Sequence, residues 1–252
     1  MEQASFRFYA ELNDFLPPYK RQVAFAHPFG ERASIKDMVE ALGIPHPEID
    51  LLLVNGESVD FSYLVQDGDQ VSVYPRFKSI DIASLTHVRP QPLSAPRFIL
   101  DIHLGKLTTY LRILGFDALY QNDFPDEVLA QRSRDEGRIL LTRDRGLLKR
   151  SIVTHGYCVR TTHPWRQLIE VIRHFNLSRA ITPFQRCPHC NGLTQPTSKE
   201  LIRDRLPPKV QQYYDEFRVC QNCGQIYWKG THYDHMQRFI RLLARIAQRT
   251  ST

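Results

Sequence analysis

Two sets of side chains in this sequence have the types and spacing to do chemistry. Cys187 and Cys190 form one Cys-x-x-Cys pair, and Cys220 and Cys223 form a second. Each pair turns two thiolates toward one point, and two such knuckles complete a tetrahedron around Zn2+. Asn191-Gly192 and Gly224, placed just after the pairs, supply the tight turns that knuckles need. With all four positions filled by protein, such a site is closed and structural, not catalytic. It contributes on the order of 10–16 kcal/mol to folding the segment that carries it. His189, His232 and His235 lie nearby as substitute ligands, but four cysteines outrank them. The fifth cysteine, Cys158, is expected to be a small buried hydrophobe in a strand.

The second set is acidic. Asp101 ends the apolar run "RFIL", Asp144 follows "RILLT", and Asp126 opens a helix after "NDFP". In open parallel sheets, sites gather outside the carboxyl ends of the strands, so these carboxylates are expected to converge on one sheet edge. Two carboxylates ~5 Å apart repel by about 3 kcal/mol at an effective dielectric of ~20, and a bound divalent cation reverses that sign. Oxygen-only ligands suit Mg2+ or Mn2+. Such an ion polarises a phosphodiester and activates a water for in-line attack. A plainer role stands beside this one: Asp126 and Asp144 both precede helices, where Asp is a good cap or first-turn residue.

Basic residues surround the acidic ones. Lys106 and Arg112 lie on the helix after Asp101, off its leucine stripe, and Arg143 and Arg145 flank Asp144. Together they could line an RNA path through phosphate contacts, which are salt-sensitive and largely indifferent to sequence. Arg238, Arg241, Arg245 and Arg249 form a further basic stripe on an amphipathic tail helix, with Phe239, Leu242, Leu243 and Ile246 opposite. Solvation explains that stripe as well as RNA does. Tyr227 and Trp228 could stack on bases, although aromatic residues beside a knuckle more often form its small core.

The elements that must position these groups follow from periodicity. Residues 1–78 read as a small α+β unit. "FRFYAEL" alternates Phe6, Phe8, Ala10 and Leu12 on one face, and "RQVAFAH" is a return strand. Ser34 caps a short helix that Gly43 stops, Asn55-Gly56 marks a hairpin, and "DGDQVSVYP" supplies a last strand. This order resembles the ubiquitin-like β-grasp, close to its sulfur-carrier branch. The carrier's terminal Gly-Gly is missing, so an interaction or scaffolding module is expected. Residues 79–96, with three prolines, read as a linker. From 97 to 183 strands and helices alternate, which argues for an α/β parallel sheet wound with helices on both faces. Leu104, Leu107, Leu111 and Leu114 stripe the first of these helices, and Gly115 closes it. Residues 184–252 hold the cysteine ribbon, a polar insert and the tail helix.

Bulk properties fit this organisation. With 252 residues and 42% hydrophobic content the chain is globular. Its net charge of +6 permits a polyanionic partner without demanding one. No apolar run approaches the ~18–20 residues needed to span a bilayer, and the acidic start "MEQASFRFYAELNDF" is unlike a signal peptide. A cytoplasmic location without a membrane partner is expected, and there thiol pairs bind metal rather than forming disulfides.

Four segments carry a family resemblance: "FILDIHLGKLTTYLRILGFDALY", "DEVLAQRSRDEGRILLTRDRGLL", "RCPHCNG" and "CQNCGQIYWKGTH". Together they resemble the Mut-seven C-terminal RNase family, a PIN-like fold with an attached zinc ribbon, whose bacterial members often carry an N-terminal ubiquitin-like domain. The resemblance covers essentially the whole chain. It implies a metal-dependent ribonuclease in which acidic residues at the first strand end, in an intervening helix and in a T-x-D motif hold Mg2+ or Mn2+. Those positions correspond here to Asp101, Asp126 and Thr142-x-Asp144, with Asp123 and Glu127 as alternatives for the middle one. The sequence departs from the pattern at His103, where a small or apolar residue is expected, and a fourth acidic residue is not evident after Asp144. Two other readings remain: an RNA-binding adaptor with an inactive PIN-like site, and a protein-interaction platform built on the ubiquitin-like domain. On the platform reading, a chain lacking residues 1–78 would lose a protein partner and keep any nuclease activity.

Overall fold

The computed structural model describes residues 1–30, 33–77, 80–230, 233 and 236–238. The chain opens with strands β1 (Glu2–Phe8) and β2 (Phe25–Phe29), helix α1 (Ile35–Ala41), and strands β3 (Ile49–Val54), β4 (Glu57–Ser58) and β5 (Gln70–Pro75). It continues with β6 (Arg97–Leu100), α2 (Gly105–Ile113), β7 (Asp117–Leu119), α3 (Asp126–Asp135), β8 (Ile139–Thr142), α4 (Arg145–Leu148), β9 (Gly156–Cys158) and α5 (Pro164–His174). The last part carries β10 (Thr194–Thr197), α6 (Pro208–Tyr213), β11 (Phe217–Cys220) and β12 (Ile226–Trp228). These elements form two compact units. One combines Met1–Ala95 with Pro125–Cys158; the other combines Pro96–Phe124 with the described residues from Val159 onward.

In the first unit, β1 to β5 make a β-grasp sheet in the order β2-β1-β5-β3-β4, with β1 and β5 parallel. Alternation places Phe6 and Phe8 on the covered face, and Ile35 and Val39 of α1 are buried as well. Ser34 caps that helix by accepting the Asp37 N–H at 3.1 Å. Asn55 and Gly56 both take positive φ, 52° and 91°, as a two-residue hairpin turn requires.

The first strand ends earlier than its alternation predicts. Ala10 turns to φ 44°, and Ala10–Phe15 coils into a 3-10 helix that still buries Leu12 and Phe15. The buried Asn13 amide makes this possible, donating to the Phe8 and Ala10 carbonyls at 2.9 and 3.0 Å and accepting the Gln22 N–H at 2.7 Å. The return strand accordingly begins at Phe25. The described part of the linker is docked: the Thr86 hydroxyl donates to the Asp50 carbonyl, Arg89 pairs with the Asp50 carboxylate, and Ile82 and Val88 are buried.

The rest of this unit is α/β in character. Ile139, Leu140 and Leu141 of β8 are buried, β8 pairs in parallel with β9, and α3 and α4 pack on β8.

In the second unit β6 and β7 pair in parallel, and α2 packs against α5. Leu104, Leu107, Leu111 and Leu114 are fully buried, as their spacing predicts. Tyr110 of α2 stacks on Trp165 of α5 with ring centroids 4.0 Å apart. Gly115 ends α2 at φ +95°, and a Cβ there would lie 2.1 Å from the Thr182 carbonyl oxygen. Only glycine fits that position.

Strands β10, β11 and β12 form the antiparallel ribbon. The insert before β11, polar by composition, has a small core of its own. Ile202, Leu206 and Val210 pack with Phe217 and Ile226, with Trp228 against them. His232, His235 and nearly all of the basic tail stripe lie outside the described residues.

Candidate metal centre and strand-end carboxylates

The knuckles bring Cys187, Cys190, Cys220 and Cys223 together, with all four Sγ atoms within 4.8 Å of one another. The Cys187–Cys223 and Cys190–Cys220 separations are 3.7 and 3.4 Å. Zn–S bonds of about 2.3 Å at tetrahedral angles need sulfurs about 3.8 Å apart, so the cluster fits the ion in size and donor chemistry. Main-chain N–H groups support the sulfurs: Cys190 N points at Cys187 Sγ at 3.4 Å, and Asn222 N and Cys223 N point at Cys220 Sγ at 3.4 and 3.5 Å. Asn191 and Gly224 turn the chain at φ 67° and 69°. A Cβ on Gly192 would meet Asn222 Cβ at 2.7 Å and Cys220 Sγ at 3.1 Å, which explains the glycine there.

Four adjacent thiols cannot all ionise without a cation. Burial pushes the Cys190 thiol up, but the Gly192 N–H and the neighbouring Cys220, Cys223 and Asn222 outweigh it and bring the group to about 6. At Cys223 the Gln225 N–H lowers the value, yet burial and the other three thiols drive it to about 12. Thiols this close compete for negative charge, which a divalent metal would neutralise. The Tyr227 hydroxyl lies 2.9 Å from Cys187 Sγ. Burial and then Cys187 push its pKa up, and the hydroxyl contacts the sulfur from outside the quartet. Periodicity gave no sign of this contact.

Arg112 carries a correction. Expected on an RNA-facing surface, it is only 5% exposed. Its Nε donates to the Ala118 carbonyl at 2.8 Å, and its Nη1 donates to the Pro188 and His189 carbonyls at 3.1 and 2.8 Å. Burial lowers its pKa, and the negative Cys187 and Cys190 sulfurs raise it. Asn191 completes the seam, donating to the Asp117 carboxylate at 2.8 Å while its oxygen accepts the Ala118 N–H at 3.2 Å. Arg112 therefore anchors the first knuckle to α2 and β7.

The acidic residues are distributed between the units: Asp101 in the second, Asp126 and Asp144 in the first. Asp101 is buried at the carboxyl end of β6, where its Oδ1 accepts the His103 N–H at 2.8 Å and lies 3.5 Å from His103 Nδ1. Asp144 is exposed just beyond β8. Its N–H donates to Thr142 Oγ1 at 2.9 Å, and its Oδ1 accepts the Gly146 N–H at 2.7 Å, capping α4. Capping thus uses one oxygen of each carboxylate. Asp126 is the first residue of α3 but not its cap, which is Pro125. Among its alternatives, Glu127 is held by Arg150 at 2.7 Å, and Asp123 is exposed in the second unit.

Lys106 and Arg143 are exposed. Arg145 is exposed too but engaged: its Nη1 donates to the Phe15 carbonyl at 3.2 Å, and its guanidinium carbon lies 4.9 Å from the Phe15 ring centre. Sequence reasoning passed over Tyr120, just after β7. Its hydroxyl lies 3.1 Å from the Ile102 carbonyl and would sit 2.8 Å from a Cβ on Gly105, so it fixes the turn after Asp101. Cys158 is buried, as expected.

No helix among the described residues is long and apolar enough to cross a membrane. A comparison with curated proteins gives no match. Among solved structures, H. volcanii small archaeal modifier protein 1 is similar at 17% identity and a TM-score of 0.25, over 31% of this chain and 100% of that one. Residues 1–81 match the Mut7-C ubiquitin domain and residues 96–240 match the Mut7-C RNAse domain. The chain therefore belongs to the Mut7-C RNase family and carries that family's ubiquitin-like domain ahead of a nuclease-type domain.

Proposed function

We propose that this protein is a metal-dependent ribonuclease that hydrolyses RNA phosphodiester bonds, with Asp101, Asp126 and Asp144 as ligands of Mg2+ or Mn2+. The observation that carries the reading is Asp144, delivered by the end of β8 and oriented by Thr142, with only Oδ1 engaged as a cap among the described residues. Oδ2 suits a hard cation. Asp126 is preferred as the middle ligand because Arg150 occupies Glu127. When bound, the ion would supply Lewis-acid polarisation of the phosphate and a more acidic water. The chain itself orients the carboxylates, and Lys106 and Arg143 meet phosphate charge. The cysteine cluster would hold structural Zn2+, bracing the ribbon. Residues 1–78, 97–183 and 184–252 divide this work as accessory module, nuclease domain and ribbon, joined through the linker at 79–96. The accessory module offers a surface for a protein partner, and reduced thiols suit a cytoplasmic setting.

The test is cleavage of fluorescent single-stranded RNA with Mg2+, Mn2+ or EDTA, comparing the native chain with Asp144→Asn. Metal-dependent cutting that disappears in the variant supports the reading. One observation favours the adaptor instead: Asp101 and Asp144 both cap helices, work they would do without any metal. Intact RNA throughout, with a folded zinc-loaded protein that binds it, would establish that alternative.

A further inference from the structure

We propose that the β-grasp module positions the Asp144 turn, with Arg145 as the positioning residue. This inference rests on the reading of Asp144 as a metal ligand. Helix α4, which Asp144 caps, has only four residues. A single turn of helix does not hold its own conformation in water, so tertiary contacts must fix it. Helix α4 packs on β8 and β9, and its two ends are tied by polar contacts to the module in the same compact unit.

Arg145, the residue after Asp144, donates to the Phe15 carbonyl and lies over the buried Phe15 ring. Lys149, at the other end of α4, donates from Nζ to the Glu40 carbonyl near the end of α1. The buried His46 ring bridges Glu40 Oε1 and the Val153 carbonyl, both at 2.7 Å. Glu48, also buried, accepts the Cys158 N–H at 2.6 Å at the last residue of β9. Residues 15 to 48 thus grip residues 145 to 158 at four places.

The grip has a functional meaning because of where it starts. Asp144 Oδ1 accepts from Gly146, so the carboxylate is fixed relative to α4, and α4 is tied to the module through its first residue and its C-cap, Lys149. A rotation of that turn would swing Oδ2 away from the direction in which it can ligate. Arg145 acts through Asp144: its Nη1 bonds the Phe15 carbonyl and its guanidinium lies over the Phe15 ring. Removing the module is therefore expected to impair catalysis, in contrast to what the platform reading anticipates for a chain lacking residues 1–78.

The experiment uses the full chain with Arg145→Ala, Arg145→Lys and Phe15→Leu. Three quantities are read: amide hydrogen exchange over residues 144–150, Mn2+ dissociation constants, and single-turnover cleavage separated from RNA affinity across a salt series. The expected result for Arg145→Ala is exchange at least about 10-fold faster in that segment, weaker Mn2+ binding and a cleavage rate down about 10-fold. RNA affinity and its salt slope should stay unchanged, because a lost phosphate contact would instead lower the slope by about one. Arg145→Lys, which keeps a donor and a cation over the ring, should recover most of the loss, and Phe15→Leu should reproduce part of it. Unchanged exchange in Arg145→Ala overturns the proposal, as does a defect confined to RNA affinity with a reduced salt slope. If the native chain cleaves no RNA, the nuclease reading fails, and exchange with Mn2+ binding still decides the clamp.

Discussion

The Arg112 guanidinium donates to the His189 carbonyl at 2.8 Å, tying helix α2 to the middle of a cysteine knuckle. One side chain therefore joins the ribbon to the α/β part of its unit. Replacing Arg112 with Ala or Met leaves the Ala118, Pro188 and His189 carbonyls without their donor. The buried Ala118 acceptor, left unsatisfied, should cost about 1–3 kcal/mol in denaturant unfolding. Lys cannot span the same carbonyls and should not rescue. Zinc release to a chromophoric chelator should quicken in both variants.

Metal removal should act locally. Stripping the four cysteines with chelator, or changing Cys220 to Ser, should melt the ribbon, read as loss of exchange protection at residues 186–228. The α/β elements should keep theirs, because Leu104, Leu107 and Leu111 bury independently of the thiols.

Asp144→Asn separates the two roles of that carboxylate. Asn is as good an N-cap as Asp, so stability should change by less than about 0.5 kcal/mol. Cleavage should fall by at least about 100-fold. Glu127→Gln, which releases only Arg150, should retain activity, while Asp126→Asn should not. The reverse pattern would make Glu127 the middle ligand.

His155 supplies a pH dependence. Burial depresses its pKa below 6.5, a contact with the Gln91 carbonyl raises it, and Arg76 lowers it. A depressed folded value means that the native state prefers neutral imidazole. Its contribution is present above the unfolded value near 6.5 and is lost as pH falls through the folded one. Unfolding midpoints measured from pH 7.5 down to 5 should drop more steeply in the native protein than in His155→Gln.

Gly115→Ala should be among the most damaging single changes. It places a Cβ against the Thr182 carbonyl and strains a positive φ, so a loss of about 3 kcal/mol or more is expected. Calorimetric melting would show it. A shift within a degree or two would mean that the 182–184 segment can move aside.

The sequence by itself determined the local elements and the cysteine knuckles. The leucine stripe of α2, the Ser34 cap and the Asn55-Gly56 turn are visible in sequence because the helix and strand periods and turn chemistry are local physics. The cysteine quartet is equally legible, since each knuckle is built within a few residues. Tertiary structure alone decided what the long side chains do. Arg112 sits off the leucine stripe and reads as a surface residue, yet carbonyls from residues 118, 188 and 189 bury it. Arg145 flanks a candidate catalytic aspartate and reads as a phosphate contact, yet a carbonyl 130 residues earlier in the chain accepts its hydrogen bond. Periodicity reports which face of an element is covered. It carries no information about where a flexible cation ends, because that depends on acceptors brought close only by folding.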